Sequence, residues 1–201
     1  MAVRADQIVT VSLPDDEVQE AISIAARIAD SIADRADLHS RDYLERFVDC
    51  LMGELAERMV IGWLTSNGKY ATSAIDKNAP NPDPGHDMWL KNNAGGQIKG
   101  SVKSSISLEK SNPSDILRTF TLASSPAEVR DVNIQVYFWL VTRSTPRVGV
   151  PSLRNSAIFA WAPGGELGAG SFAPYRGEAR MAPRRHLADL HPMEELLAQL
   201  S

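Results

Sequence analysis

Cysteine is almost absent from this chain: among 201 residues there is one, Cys50. That excludes a disulfide framework and any multi-cysteine zinc or iron–sulfur site. Long apolar runs are missing too, so no stretch reaches the length of a membrane span. The opening MAVRADQIVTVSLPDD carries Arg4, Asp6, Asp15 and Asp16 and makes a poor signal peptide. Positive charge is in short supply, with 21 Lys plus Arg against 25 Asp plus Glu and a net charge of -4. A protein that coats nucleic acid by bulk charge is therefore disfavoured. Neither a Walker-type phosphate loop nor a serine nucleophile elbow occurs, and no organic cofactor is expected. The remaining composition, 43% hydrophobic and 23% charged, is ordinary for a globular domain. The expectation is a cytoplasmic protein with no membrane segment.

Apolar periodicity predicts a helix from about Asp15 to Asp37, with Ile22, Ala25, Ala26, Ala29, Ile32 and Ala33 on one face. A longer helix follows Ser40, a candidate N-cap, and carries Leu44, Phe47, Leu51, Leu55, Met59 and Trp63 before the Asn67-Gly68 stop. From Gly68 to Gly85 the chain reads as irregular. DMWL and QIKGSVKSSISL then read as a β-hairpin joined by KNNAGG. In its second strand Gln97, Lys99, Ser101 and Lys103 share one face, while Ile98, Val102 and Ile106 share the other. RTFTLAS is a strand candidate, and SPAEVRD a short helix or turn. NIQVYFWLVTR and NSAIFAWAP read as buried strands. Residues 163–185 read as an extended surface segment, and HPMEELLAQLS as a terminal helix. The division expected is a helical extension over 1–39 and an α/β domain over 40–201, together one compact unit.

The chemistry-bearing residues are Glu54 and Glu57 on the long helix, Asp83 and Asp87 around the first hairpin strand, and then Gln97-Ile98-Lys99. A carboxylate that opens a strand is fixed by the sheet, and an oxygen ligand on the neighbouring strand can share a hard cation such as Mg²⁺ with it. A lysine two residues further on the same face can assist a water or a phosphate. An acid on the packed helix adds a further ligand. Such parts suit metal-assisted hydrolysis of a phosphodiester. His86 adjoins this group, but a loop histidine is expected to be exposed. Cys50 is expected to serve packing.

In this order, GELAERMVIGWLTSNG, GHDMWL and GQIKGS resemble the first core helix, the aspartate strand and the lysine strand of the PD-(D/E)xK nuclease superfamily. Glutamine replaces the acid, as in its Mrr-like members. The resemblance spans about Leu51 to Ser105. It implies a restriction-endonuclease-like αβββαβ core with a mixed central sheet and an N-terminal helical extension. It also implies a Mg²⁺-dependent DNA endonuclease, with Mn²⁺ able to substitute, in a restriction or phage-defence role. The alternative is a catalytically inactive DNA-binding or complex-forming subunit on the same fold.

By that resemblance Asp87, Gln97 and Glu57 hold the metal, Lys99 assists the attacking water and Glu54 competes with Glu57 for the helix position. Pro82-Asp83 matches the literal motif, yet Asp87 is preferred because it opens a strand. Ser101-Val102-Lys103 is the alternative frame for the lysine strand, and serine is a poor substitute for a metal-binding carboxylate. Ser101, Lys103, Arg143 and Arg147 are the candidate DNA contacts. Arg154, Arg176, Arg180, Arg184 and Arg185 extend an arginine-rich C-terminal half opposite an acid-rich N-terminal one. The N-terminal helix is available for homodimer formation or as a helical cap.

Overall fold

The computed structural model describes residues 2–31, 41–77, 85–140, 151–174 and 181–201. Its longest element is the helix read most readily from the sequence. Asp42 rather than Ser40 caps it: the Asp42 carboxylate accepts from the Glu45 amide at 2.9 Å, and Glu45 reciprocates to the Asp42 amide at 2.9 Å. With α1 at Asp15–Ser31, this helix is α2, Tyr43–Ser66. It ends at Asn67, and Gly68 follows at φ 72°, a left-handed turn that glycine adopts without strain. Ala21 and Ala25 of α1 are fully buried in the same cluster as Leu51, Leu55 and Met59 of α2. Small side chains let the two helices approach closely. Arg58 of α2 pairs with Glu20 of α1 at 3.0 Å.

A five-stranded sheet lies against α2. Its strands are β1 (Ala71–Ser73), β2 (Met88–Lys91), β3 (Gln97–Ser107), β4 (Val132–Trp139) and β5 (Ser156–Pro163), in spatial order β1-β2-β3-β4-β5. All neighbours are antiparallel except β3 and β4, which run parallel. A parallel pair needs a crossover, supplied here by α3, Pro113–Thr119. The hairpin forms as the sequence predicts, and so do the two buried strands. The stretch RTFTLAS does not form a strand. Arg118 and Thr119 end α3, and Thr121 makes only an isolated bridge to His186. Asn112 as N-cap and Pro113 at the first position set that start, but seven residues are too few to show a helical period. The short β1 was likewise invisible inside a segment that read as irregular.

Side-chain alternation along the sheet divides the core. Met88, Leu90, Ile134, Val136, Phe138 and Trp161 face α2, with Ile98, Val102 and Ile106 of β3 packed alongside. Tyr137, Phe159, Leu122 and Leu187 face the opposite side, where α3 contributes Ile116 and Leu117. Each fully buried side chain of this size is worth roughly 1.5–3 kcal/mol. The segment 163–185, expected to be surface, contributes Leu167 and Phe172 to that second cluster, with Met181 packed against it, and pairs β6 (Phe172–Pro174) with β7 (Met181–Pro183). The terminal helix α4, Met193–Leu197, buries Met193 and Leu196 against the α2 side. The N-terminal segment is not peripheral either, since Val9 exchanges backbone hydrogen bonds with Ile158 of β5 at 2.9 and 2.8 Å.

Gly100 sits where β2, β3 and α2 meet. A Cβ there would stand 2.6 Å from Met88 Cγ and 3.2 Å from Leu90 Cδ1. Overpacking of this kind costs about 1–3 kcal/mol. Gly100→Ala is expected to lower the urea unfolding free energy by that amount. An unchanged midpoint would show that Met88 moves aside at no cost.

Candidate functional site

The α2 stripe Cys50, Glu54, Glu57 and Ile61 faces the first strands of the sheet and the segment that follows β1. Glu54 and Glu57 are both only 6% exposed, so they are not the solvated helix face that charged residues normally occupy. Lys77 makes their burial tolerable. Its ammonium lies 2.6 Å from Glu54 Oε1 and 2.7 Å from Glu57 Oε2. Burial pushes the Glu57 carboxyl above its ordinary range, against the pull of Lys77 and of the Ser73 hydroxyl. Burial alone would lower the Lys77 pKa, but the two glutamates outweigh it and hold the ammonium charged. Glu54 and Glu57 therefore both bond the same cation.

Asp87 lies in the bend that opens β2, where its carboxylate is released from the strict alternation of the strand. Its Oδ2 accepts from the Val102 amide at 2.6 Å and from the Ser101 hydroxyl at 3.0 Å. Its backbone amide donates to the Gly100 carbonyl at 3.0 Å, which fixes it across from Ser101. Asp87, Glu54, Glu57 and Lys77 together line one cavity of about 130 Å³, with Cys50, Val102 and Ile75 among its walls. Thus the helix acids and the strand aspartate, about 30 residues apart in sequence, share one cavity. Burial, with nearby Asp49 adding to it, pushes the Cys50 thiol up, so it stays protonated and lines the wall as a packing group.

The favoured lysine-strand frame falls elsewhere. Gln97 pairs with Lys91 at the far end of the hairpin and is exposed. Four residues separate it from Ser101, about 13 Å along the strand, beyond the reach of any ligand shared with Asp87. Lys99 has its ammonium 5.9 Å from the centre of the Trp89 ring, and its amide donates to Asp131 Oδ2 at 2.8 Å. It lines a separate cleft with Arg130, Asp131, Gly164 and Gly165. The alternative frame is the one that touches Asp87: Ser101 binds it directly. Lys103, two residues on, is 3.3 Å from Glu128 Oε1. Asp83, Arg143, Arg147, Arg176 and Arg180 lie outside the described residues. Arg184 donates to the Phe172 carbonyl, and Arg185 pairs with Glu166 at 2.5 Å, so both are engaged within the fold. His86 is buried, with its ring edge-on to Trp89 at 4.2 Å, contrary to the exposed loop histidine expected.

The fit of a Mg²⁺ ion is decided by the donors. Carboxylate oxygens are the right chemistry for a hard cation. Among the described residues, however, no three His, Cys, Asp or Glu side chains are grouped so as to hold a metal ion. Lys77 takes the place between Glu54 and Glu57, and Gln97 is remote. As arranged, the residues do not fit a bound Mg²⁺. Sequence reasoning missed Lys77 altogether. It is a single lysine ahead of a proline-rich loop, with no periodic pattern to mark it.

In comparisons with known proteins, no family model, no curated protein and no solved structure matches this chain. Among the described residues, no helix is long and apolar enough to cross a membrane.

Glu128 yields a pH test of the Lys103 anchor. Burial would raise its pKa, but the Lys103 ammonium and two bonds from Ser125 outweigh that and hold it at about 2. A carboxyl depressed on folding stabilises the native state above its unfolded pKa and loses that contribution as pH falls toward the folded value. The stability difference between wild type and Glu128→Gln is expected to be constant above pH 4.5 and to shrink between there and about 2. Urea midpoints measured across that window check it. A difference that does not change with pH would contradict the pairing.

Proposed function

We propose that this chain is a DNA endonuclease of the restriction-endonuclease-like class, active with Mg²⁺ or Mn²⁺, and that Asp87 is its central acid. The observation that carries this reading is the shared cavity: the carboxylate at the head of β2 and two glutamates of α2 line the same space. The order α2-β1-β2-β3-α3-β4 supports it as well, since an αβββαβ succession with an antiparallel hairpin and a parallel crossover is what the resemblance implies. The frame is revised to Asp87 with Ser101-Val102-Lys103. Asp87 lines that cavity and is held by two hydrogen bonds, both to Oδ2. Lys103, on the same β3 face as Ser101 and about 7 Å further along, is the candidate for meeting a phosphate once it leaves Glu128.

A second reading is favoured by two specific features. Ser101 stands where an acid would add a metal donor, and Lys77 already occupies both helix glutamates. A nuclease-fold subunit that binds DNA without cutting it would show both.

Plasmid nicking in Mg²⁺ or Mn²⁺ separates the two. The wild type is expected to nick. Asp87→Ala should lose roughly 100-fold or more, the scale of losing one group that organises transition-state charge. Lys103→Ala should lose more than Lys99→Ala. Salt-sensitive DNA binding with no cleavage would support the subunit reading instead. Equal nicking by the wild type and Asp87→Ala would remove Asp87 from the account.

A further inference from the structure

On the side of the sheet away from the helix acids, a cleft of about 480 Å³ opens where three strands start or end. Lys99 reaches it from β3, Arg130 and Asp131 precede β4, and Gly164 and Gly165 follow β5. Its charge is unlike that of the whole chain: two cations and one carboxylate line it, in a protein of net charge -4. Among the described residues no carboxylate pairs with the Lys99 ammonium, which lies over the Trp89 ring instead, 5.9 Å from its centre. A ring face attracts a cation without cancelling its charge. The Arg130 guanidinium is likewise directed at neutral acceptors. It donates to the carbonyls of Gly85, Ala127 and Val129, and its Nη2 donates to no described residue. Asp131, the one acid lining the cleft, accepts from the Lys99 backbone amide at 2.8 Å and pairs with neither cation among the described residues.

We propose that this cleft holds a backbone phosphate of bound DNA, met by the Lys99 ammonium and the Arg130 guanidinium. The proposal rests on the reading of the chain as a DNA-acting protein and gives it a gripping point apart from the acids. A phosphodiester suits the cleft because it carries one negative charge and oxygens that accept from both kinds of cation. The place of the cleft suits the task as well. Arg130 bonds the carbonyl of Gly85, two residues before Asp87. Lys99 lies two residues, about 7 Å along β3, from Ser101, which bonds the Asp87 carboxylate. Both cations are thus tied to the segments that position Asp87. A contact to phosphate fixes where the DNA lies and carries no sequence information. The wall is close-packed at Gly164, where a Cβ would run into the Arg130 carbonyl. Gly165 beside it is open, since a Cβ there meets nothing within 4 Å, so a charge can be added at that point without a clash.

Fluorescence anisotropy of a labelled DNA duplex, titrated in EDTA at several salt concentrations, tests this without cleavage. Lys99→Ala is expected to bind roughly threefold or more weakly at low salt and to lower the slope of log K against log salt by about 1. Lys99→Arg, which keeps the charge, should retain the slope. Gly165→Glu keeps both cations and adds an opposing charge, and should weaken binding by a similar factor. Lys91→Ala is the control: its ammonium lies over the Tyr70 ring at 4.4 Å, outside the cleft, and its loss should leave the slope unchanged. The proposal is overturned if Lys99→Ala and Gly165→Glu bind as the wild type does, or if Lys91→Ala lowers the slope as much. It is also overturned if inorganic phosphate raises the Tm of the wild type but not of Lys99→Ala while DNA binding is equal in the two, which would make the cleft a site for free phosphate. Cleft-dependent binding without nicking in Mg²⁺ would leave the proposal standing and remove the nuclease reading. Nicking that Lys99→Ala and Gly165→Glu leave unchanged at every DNA concentration would remove the cleft alone.

Discussion

Two glutamates stay buried on α2 because one lysine ammonium sits between them. Leaving either carboxylate unpaired in that environment would cost about 3–5 kcal/mol, a large share of what holds a domain of this size together. The bridge also ties the segment after β1 to the helix, and so encloses the cavity that Asp87 enters from the opposite side. The close approach of the two glutamates to one ammonium follows from this contact.

The hairpin does the rest. Asp87 is placed by backbone pairing through Gly100 and held by Val102 and Ser101, so its geometry is set by β3 and not by neighbouring charges. Lys99 and Lys103 share the β3 face that points away from α2, with Val102 between α2 and the strand. The β3 lysines thus lie on the opposite side of the sheet from the helix acids. Lys77 is the cation that meets the acids from their own side.

Much of the fold was legible in the residue pattern. The α2 periodicity, the Asn67-Gly68 stop, the hairpin and the buried strands β4 and β5 are strong signals because each depends on many residues at once. The small elements escaped for a physical reason: β1 has three residues and α3 has seven, too short for either periodicity to develop. At the site, Asp87, Glu54 and Glu57 were identifiable one by one. Their sharing of a cavity was not, since it depends on which helix turn packs over which strand end. On β3 chemical type and register point to different residues: Gln97 is the better ligand, but Ser101 is the residue that bonds Asp87. Lys77 carried no pattern at all, and only packing makes it important.

The central claim is that the Lys77 ammonium is the counter-charge that keeps Glu54 and Glu57 buried beside Asp87. Urea unfolding of Lys77→Met beside the triple variant Lys77→Met/Glu54→Gln/Glu57→Gln tests this most directly. The account predicts a loss of about 3–5 kcal/mol in the single variant and recovery of most of it in the triple one. An unfolding free energy of Lys77→Met equal to that of the wild type would contradict it.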